Sequence, residues 1–322
     1  MKKIKWLLSM FMVVALILTL TPVGSTINAE ENGPSIQFLG ENKEDIGQEV
    51  KLNFVKEYTE YENPNEIEDR YYFIEYKENG SSVTTEISEQ QAFQNAAASE
   101  TSSAVTPSSL NGITVSTRVD AGAKDARKAN FKATIMSITG SKPNKLDFKL
   151  NLGRSMTRST TTNIVSSVTY TLSGVLGIKV GATVTHSFDA TVTGFYTVVS
   201  DITAKNILGV VLGTDTTNTS TILLNTKGNL YPIYTDVASA KVMKEPARAD
   251  WARTTPISWT TSDRNKYIDW YNKEYPNNYD WTLNHVHHMR PRNLGGTNDY
   301  SNLIPILNTH HTSVVSPWFV AY

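Results

Sequence analysis

Ile178-Lys179-Val180-Gly181-Ala182-Thr183-Val184-Thr185-His186-Ser187-Phe188-Asp189-Ala190-Thr191-Val192 alternates apolar and polar side chains almost without interruption. Ile178, Val180, Ala182, Val184, Phe188, Ala190 and Val192 would share one face, with His186 among them as a core or barrel-face histidine. Lys179, Thr183, Thr185, Ser187, Asp189 and Thr191 would share the other. A repeat of two is the signature of a strand with one buried face. Just upstream, Val168, Tyr170 and Leu172 alternate with Thr169, Thr171 and Ser173, and Gly174 and Gly177 suit a connection between two strands. Fully extended, the quoted run would span ~50 Å at ~3.3 Å per residue, longer than ordinary strands. It must bend at Gly181 or form an unusually long hairpin. The same Thr, Ser, Val and Ile composition, punctuated by glycine and Asn-Thr turns, fills residues 113–243. It predicts an antiparallel sandwich with one solvated face. Long amphipathic strands would also suit a membrane-inserting hairpin of a β-barrel pore, but the aromatic girdles of such barrels are missing.

Outward from this region the composition changes. Residues 30–112 precede it as an acidic segment followed by a linker. From Glu30 to Gly80 acidic residues outnumber basic ones by more than two to one, and strand fragments are expected at Val50–Val55 and Arg70–Tyr76. Gly80 to Gly112, rich in Ser, Thr, Ala and Gln, reads as a linker or poorly ordered stretch. Between Arg118 and Lys244 there are about twice as many Lys and Arg as Asp, and no Glu. That basic middle would suit phosphate, anionic wall polymer or a membrane surface. Residues 1–29 read as a secretory signal. Lys2, Lys3 and Lys5 precede an apolar run from Trp6 to Leu20, and Ile27-Asn28-Ala29 offers a cleavage site after Ala29. The 322 residues contain no cysteine, which excludes disulfides and thiolate metal sites, and their net charge of -1 singles out no partner.

Residues 244–322 differ again, with Trp, Tyr, Asn and charge replacing the Ser, Thr and Val runs. Thr261-Ser262-Asp263 looks like a helix start leading into Arg264–Tyr275, ended by Pro276-Asn277-Asn278. On it Tyr267, Trp270, Tyr271 and Tyr275 form a stripe that reads as core. Five of the six histidines follow: His285, His287, His288, His310 and His311. Trp281 to Val286 reads as a short strand leading into His287-His288. Pro291 and Gly295-Gly296 force a turn-rich loop, and Pro305 would begin a helix carrying His310 and His311. Neutral imidazole is a common metal ligand and titrates near pH 7. Gathered histidines therefore suit a metal site with a general base beside it, as phosphodiester hydrolysis needs. Arg290 or Arg292 could clamp a phosphate. The bland alternatives are a non-catalytic metal site, surface histidines and solvated arginines, with Pro317-Trp318-Phe319 and Tyr322 packing the region together.

The pattern "His-His-Met-x-Pro … Gly-Gly-Thr-Asn … Ser-Asn-Leu-Ile-Pro … His-His … Pro-Trp-Phe … Tyr" resembles the HNH nucleases. This is the ββα-metal class that includes colicin-type DNases and many secreted bacterial toxins. The resemblance covers about Trp281 to Tyr322, with Asn302 fourteen residues after His288 and His311 nine after Asn302. It implies that His287 and His311 are metal ligands and His288 the general base. It also implies that Asn302 braces the loop or completes the metal shell. The chain departs from the pattern in lacking paired cysteines and in having Val315 where a further His would stand. His285 or His310 could supply a third ligand.

The expectation is an α+β multidomain protein: a β-rich, sandwich-like domain at 113–243 followed by a small HNH-like domain at 244–322. Its expected function is a secreted endonuclease, a toxin or a scavenging nuclease, using one divalent ion (Mg, Mn, Ni or Zn). Its substrate would be nucleic acid, DNA in preference to RNA, and a toxin would need an immunity protein. The near balance of acidic and basic residues in 244–322 argues against a strongly basic binding face. The alternative is a secreted β-rich binding or pore-forming protein whose histidine-rich tail is not catalytic.

Overall fold

The computed structural model describes residues 67–322 apart from 78, 102–110, 159–162, 175–177 and 276–278. The expected signal at 1–29 and the strand expected at Val50–Val55 lie outside the described residues. Alternating β-branched and polar residues form two antiparallel sheets. One contains β1 (Arg70–Tyr76), β2 (Ser82–Ile87), β3 (Asn111–Ala121), β4 (Lys128–Thr139) and β7 (Thr183–Asp189), in the order β2-β1-β3-β4-β7. The other contains β5 (Lys145–Ser155), β6 (Asn163–Ser173), β8 (Gly194–Lys205), β9 (Val211–Asn218) and β10 (Ile222–Leu224). Its order is β10-β8-β5-β6, with β9 also paired to β8. Inward residues of both sheets meet in one core: Ile74, Val115, Phe131 and Phe188 from the first, Phe148, Leu150, Val198 and Ile202 from the second. With its few short helices, the chain is a β-rich α+β protein.

The run from Ile178 to Val192 bends at Gly181, where φ is +81°. Ile178, Val184, Phe188 and Ala190 are buried as the alternation predicts, but Val180 and Val192, outside β7, are each 40% exposed. In β6 the predicted alternation holds, with Val168, Tyr170 and Leu172 packed against the core. The two strands do not form a hairpin with each other. β6 pairs with β5 from Lys145↔Ser173 to Arg154↔Asn163, whereas β7 pairs with β4. The connection carries the chain from one sheet to the other, which lets both apolar sets face the same core. Across this junction the Tyr170 hydroxyl meets His186 Nδ1 at 2.8 Å, and the His186 ring stands edge-on to Phe188 at 4.4 Å.

The segment preceding residue 113 contributes more than a linker. β1 occupies the expected Arg70–Tyr76. β2 and a helix, α1 (Glu89–Thr101), lie in the stretch read as poorly ordered. β2 is an edge strand paired to β1 along its length, from Tyr71↔Ile87 to Tyr76↔Ser82, so pairing holds a sequence with little apolar pattern of its own.

The C-terminal region comprises β11 (Tyr234–Thr235), β12 (Val242–Met243), α2 (Thr261–Glu274), β13 (Asn284–His288) and β14 (Leu303–Leu307). A helical segment follows, α3 (308–320), built from an α turn Asn308–His310, a π-helical turn His311–Val315 and an α turn Ser316–Val320. α2 starts on a capping box in which the Thr260 hydroxyl accepts from Asp263 N and the Asp263 carboxylate accepts from Thr260 N. Its Tyr267 and Tyr271 are buried with Leu303, as the aromatic stripe predicts. A second core joins the sandwich to this region: Phe195 and Leu223 pack with Tyr231, Tyr234, Met243, Ile304, Ile306, Val315 and Trp318. Trp318 Nε1 donates to the Asn229 carbonyl at 2.9 Å. Continuous packing from β8 and β10 into β14 and α3 gives the histidine-bearing hairpin a rigid base.

Candidate functional site

β13 and β14 form an antiparallel pair in the register His285↔Ile306, Val286↔Pro305, His287↔Ile304 and His288↔Leu303. Pro305 therefore sits inside a strand rather than opening a helix, and α3 begins at Asn308. The apolar run Leu303-Ile304-Pro305-Ile306 continues the pairing and buries its side chains, and a two-stranded sheet tolerates a residue without an N–H. The segment is strand, loop, strand and then helical turns, where a strand, a loop and a helix were expected.

Alternation along β13 sorts the histidines. His285 and His287 project from one face toward α3, where their ring centroids lie 4.8 and 5.0 Å from that of His311. Phe319 backs the His287 ring at 6.1 Å. His288 projects from the other face and meets the Trp259 ring edge-on at 4.8 Å. His310 leaves the group and stacks on Tyr234 at 5.7 Å. All of these histidines except His310 line one open groove of about 800 Å³, together with Arg253, Trp259, Arg292 and Phe319.

The loop between the strands is held by Asn302. Its Oδ1 accepts from Arg290 N at 2.9 Å, and its Nδ2 donates to the carbonyls of Arg290 and Thr297 at 3.1 and 2.8 Å. The amide is thus bonded to loop backbone on both its oxygen and its nitrogen, as bracing requires. The glycine pair is required by space and conformation: Gly295 has φ +85°, and a Cβ on Gly296 would lie 1.7 Å from the Arg290 carbonyl oxygen. Arg290 serves the same loop, donating from Nε to the Leu294 carbonyl at 2.7 Å with its guanidinium 5.2 Å from the Trp251 ring centroid. Arg292 lines the groove and spends Nη1 on the Ile257 carbonyl at 2.6 Å.

Burial sets the charge state. Desolvation, reinforced by His311, His288, His285 and His310, holds the buried His287 imidazole down to about 3. Its Nε2 is buried with no hydrogen-bond partner. Burial also lowers His288 and His311, with Arg292 adding to the first and His285 to the second. These rings are neutral at pH 7, the form that binds a cation or accepts a proton. The His288 tautomer follows from its partner. Asn298 Nδ2 donates to the Ser258 carbonyl at 2.7 Å, which turns Oδ1 toward His288 Nε2 at 2.9 Å. Nε2 therefore carries the hydrogen, and Nδ1 keeps its lone pair. An orphaned buried imidazole nitrogen beside a second neutral imidazole is the kind of donor that a divalent cation would need. Among the described residues no group of three His, Asp or Glu side chains is arranged to hold a metal ion, so His287 and His311 would leave the remaining positions to water or phosphate.

Asn298, Trp259 and Arg253 were not singled out from sequence. Asn298 lies within the quoted Gly-Gly-Thr-Asn motif, and its spacing from His288 carries no periodic signal. Comparison with family profiles, curated proteins and solved structures gives no match.

Proposed function

We propose that the chain is a metal-dependent endonuclease of the HNH type that hydrolyses phosphodiester bonds in the groove lined by the histidines, Trp259 and Phe319. The reading is supported above all by the unpartnered, buried Nε2 of His287 next to His311, in the groove that also holds His288. A divalent cation (Mg, Mn, Ni or Zn) held by His287 and His311 would relieve charge on the phosphate as a Lewis acid. His288 Nδ1 takes the proton of the attacking water as its oxygen bonds to phosphorus. The bond from phosphorus to the leaving sugar oxygen breaks, and that oxygen is protonated from solvent. Asn298 and Trp259 hold the His288 ring, and Arg292 and Arg253 supply positive charge along the groove for the strand. Asn302 keeps the loop in place.

Nucleic acid, with DNA preferred to RNA, is the substrate of this reading. Secretion through residues 1–29, a toxin role and an immunity partner belong to the same proposal. Purified protein should nick supercoiled plasmid with at least one of Mg, Mn, Ni or Zn and lose this with EDTA, while His288→Ala should fall by roughly 10²–10⁴-fold. If wild type and His288→Ala leave DNA and RNA equally intact with every metal, the reading is lost.

A further inference from the structure

The turn joining β8 to β9 and the first residue of β9 carry Ile207, Leu208, Val210 and Val211 with 81, 83, 56 and 43% of their surfaces exposed. Apolar side chains scattered singly on a surface are ordinary, but four within five consecutive residues at a hairpin tip are not. The described residues leave Ile207 and Leu208 almost fully open, and a Cβ added to Gly209, whose φ is +80°, would meet none of their atoms within 4 Å.

Most amides of this tip are bonded from within. Asn206 Oδ1 accepts from the amides of Leu208 and Val210 at 2.9 and 3.0 Å, the Gly209 amide donates to the Asn206 carbonyl at 3.0 Å, and the Asn206 amide donates to the Val210 carbonyl at 2.9 Å. Losing water costs a peptide group little when its hydrogen bonds are already internal, so this tip can enter an apolar medium more cheaply than an ordinary loop.

Charge identifies the medium. The β4–β5 turn lies alongside, with the Asn144 amide donating to the Lys205 carbonyl at 2.9 Å. Across residues 140–147 and 203–211 the charged groups are Lys142, Lys145, Lys205 and Asp147. Three ammonium groups stand against the one carboxylate of Asp147, which takes Lys205 at 2.8 Å and Lys145 at 3.4 Å. An apolar point with excess ammonium charge at its base matches a bilayer whose acyl region lies below anionic headgroups.

We propose that the β8–β9 tip is a docking point for anionic lipid bilayers, with Ile207 and Leu208 entering the acyl boundary and the lysines meeting the headgroups. The assignment is independent of the nuclease reading, because the tip and the histidine groove share no residue. The test is co-sedimentation with vesicles of phosphatidylcholine, with and without phosphatidylglycerol, for wild type, Ile207→Ser/Leu208→Ser and Lys142→Glu. All three proteins keep the same N-terminus, so any affinity of the leader cancels. Both tip side chains are exposed, and the double variant should melt with the wild type.

Wild type should sediment with the anionic vesicles, and the double variant should bind them roughly a hundredfold more weakly, at about tenfold per apolar side chain. Lys142→Glu should weaken binding to the anionic vesicles alone, by roughly fivefold to tenfold. Absence of wild-type binding, or equal binding by the double variant, would overturn the proposal. So would gel filtration showing that the tip variant abolishes self-association while no vesicle binding occurs, since the tip would then face a second copy of the chain.

Discussion

Acidification in the presence of a chelator should weaken the fold through His287. In the unfolded chain this histidine titrates near its ordinary value of about 6.5. In the folded protein burial and the neighbouring histidines bring it down to about 3. Between those values the unfolded chain binds a proton that the folded chain does not. The stability conferred is complete above the unfolded value and lost as pH falls toward the folded one, with a limiting slope of about 1.4 kcal/mol per pH unit. From pH 7 to pH 5 the loss from His287 alone comes to about 2 kcal/mol. Burial lowers His288, His310 and His311 as well, so the wild-type slope should be steeper still. Urea unfolding with EDTA at a series of pH values, for wild type and His287→Gln, isolates the term. Between pH 7 and 5 the wild type should lose about 2 kcal/mol more than the variant. Parallel pH dependences would show that His287 is not held neutral by burial, and the account of its orphaned nitrogen would fail with it.

Three further outcomes follow from the loop and its partners. Gly296→Ala would set a Cβ 1.7 Å from the Arg290 carbonyl and 3.0 Å from Asn302 Nδ2. Backbone must move, so thermal unfolding should show a loss of about 3 kcal/mol or more. Asn302→Ala removes three hydrogen bonds to backbone, and denaturant titration should give a loss of roughly 2–3 kcal/mol. Asn298→Ala frees the His288 ring: kcat for plasmid cleavage should fall by roughly 10–100-fold with KM little changed, while the melting temperature stays close to wild type.

The sequence makes the class of structure plain and leaves its connectivity hidden. Val168, Tyr170 and Leu172 announce the inner face of a strand, and β6 presents them as expected. A repeat of two identifies a face and not a partner, so the assignment of β6 and β7 to different sheets was not legible. β2 was hidden because its stability comes from pairing with β1. Thr261-Ser262-Asp263 marks the start of α2 because capping is local chemistry, although the capping residue itself is Thr260, one position earlier. Pro305 misleads for the opposite reason: its local preference for a first helical turn yields to the cross-strand pairing with Val286. The separation of His285 and His287 from His288 follows from strand alternation. The hold of Asn298 on His288 depends on a loop path that only the folded glycine pair defines.

Cleavage of a labelled DNA duplex with Mg or Mn, by wild type, His288→Ala and the pair His287→Ala/His311→Ala, bears most directly on the histidine groove. Metal-dependent cutting by wild type that drops to background in both variants, with their fold intact by circular dichroism, is the predicted result. Cutting that persists without His288, or no cutting by wild type with any divalent ion, would contradict it.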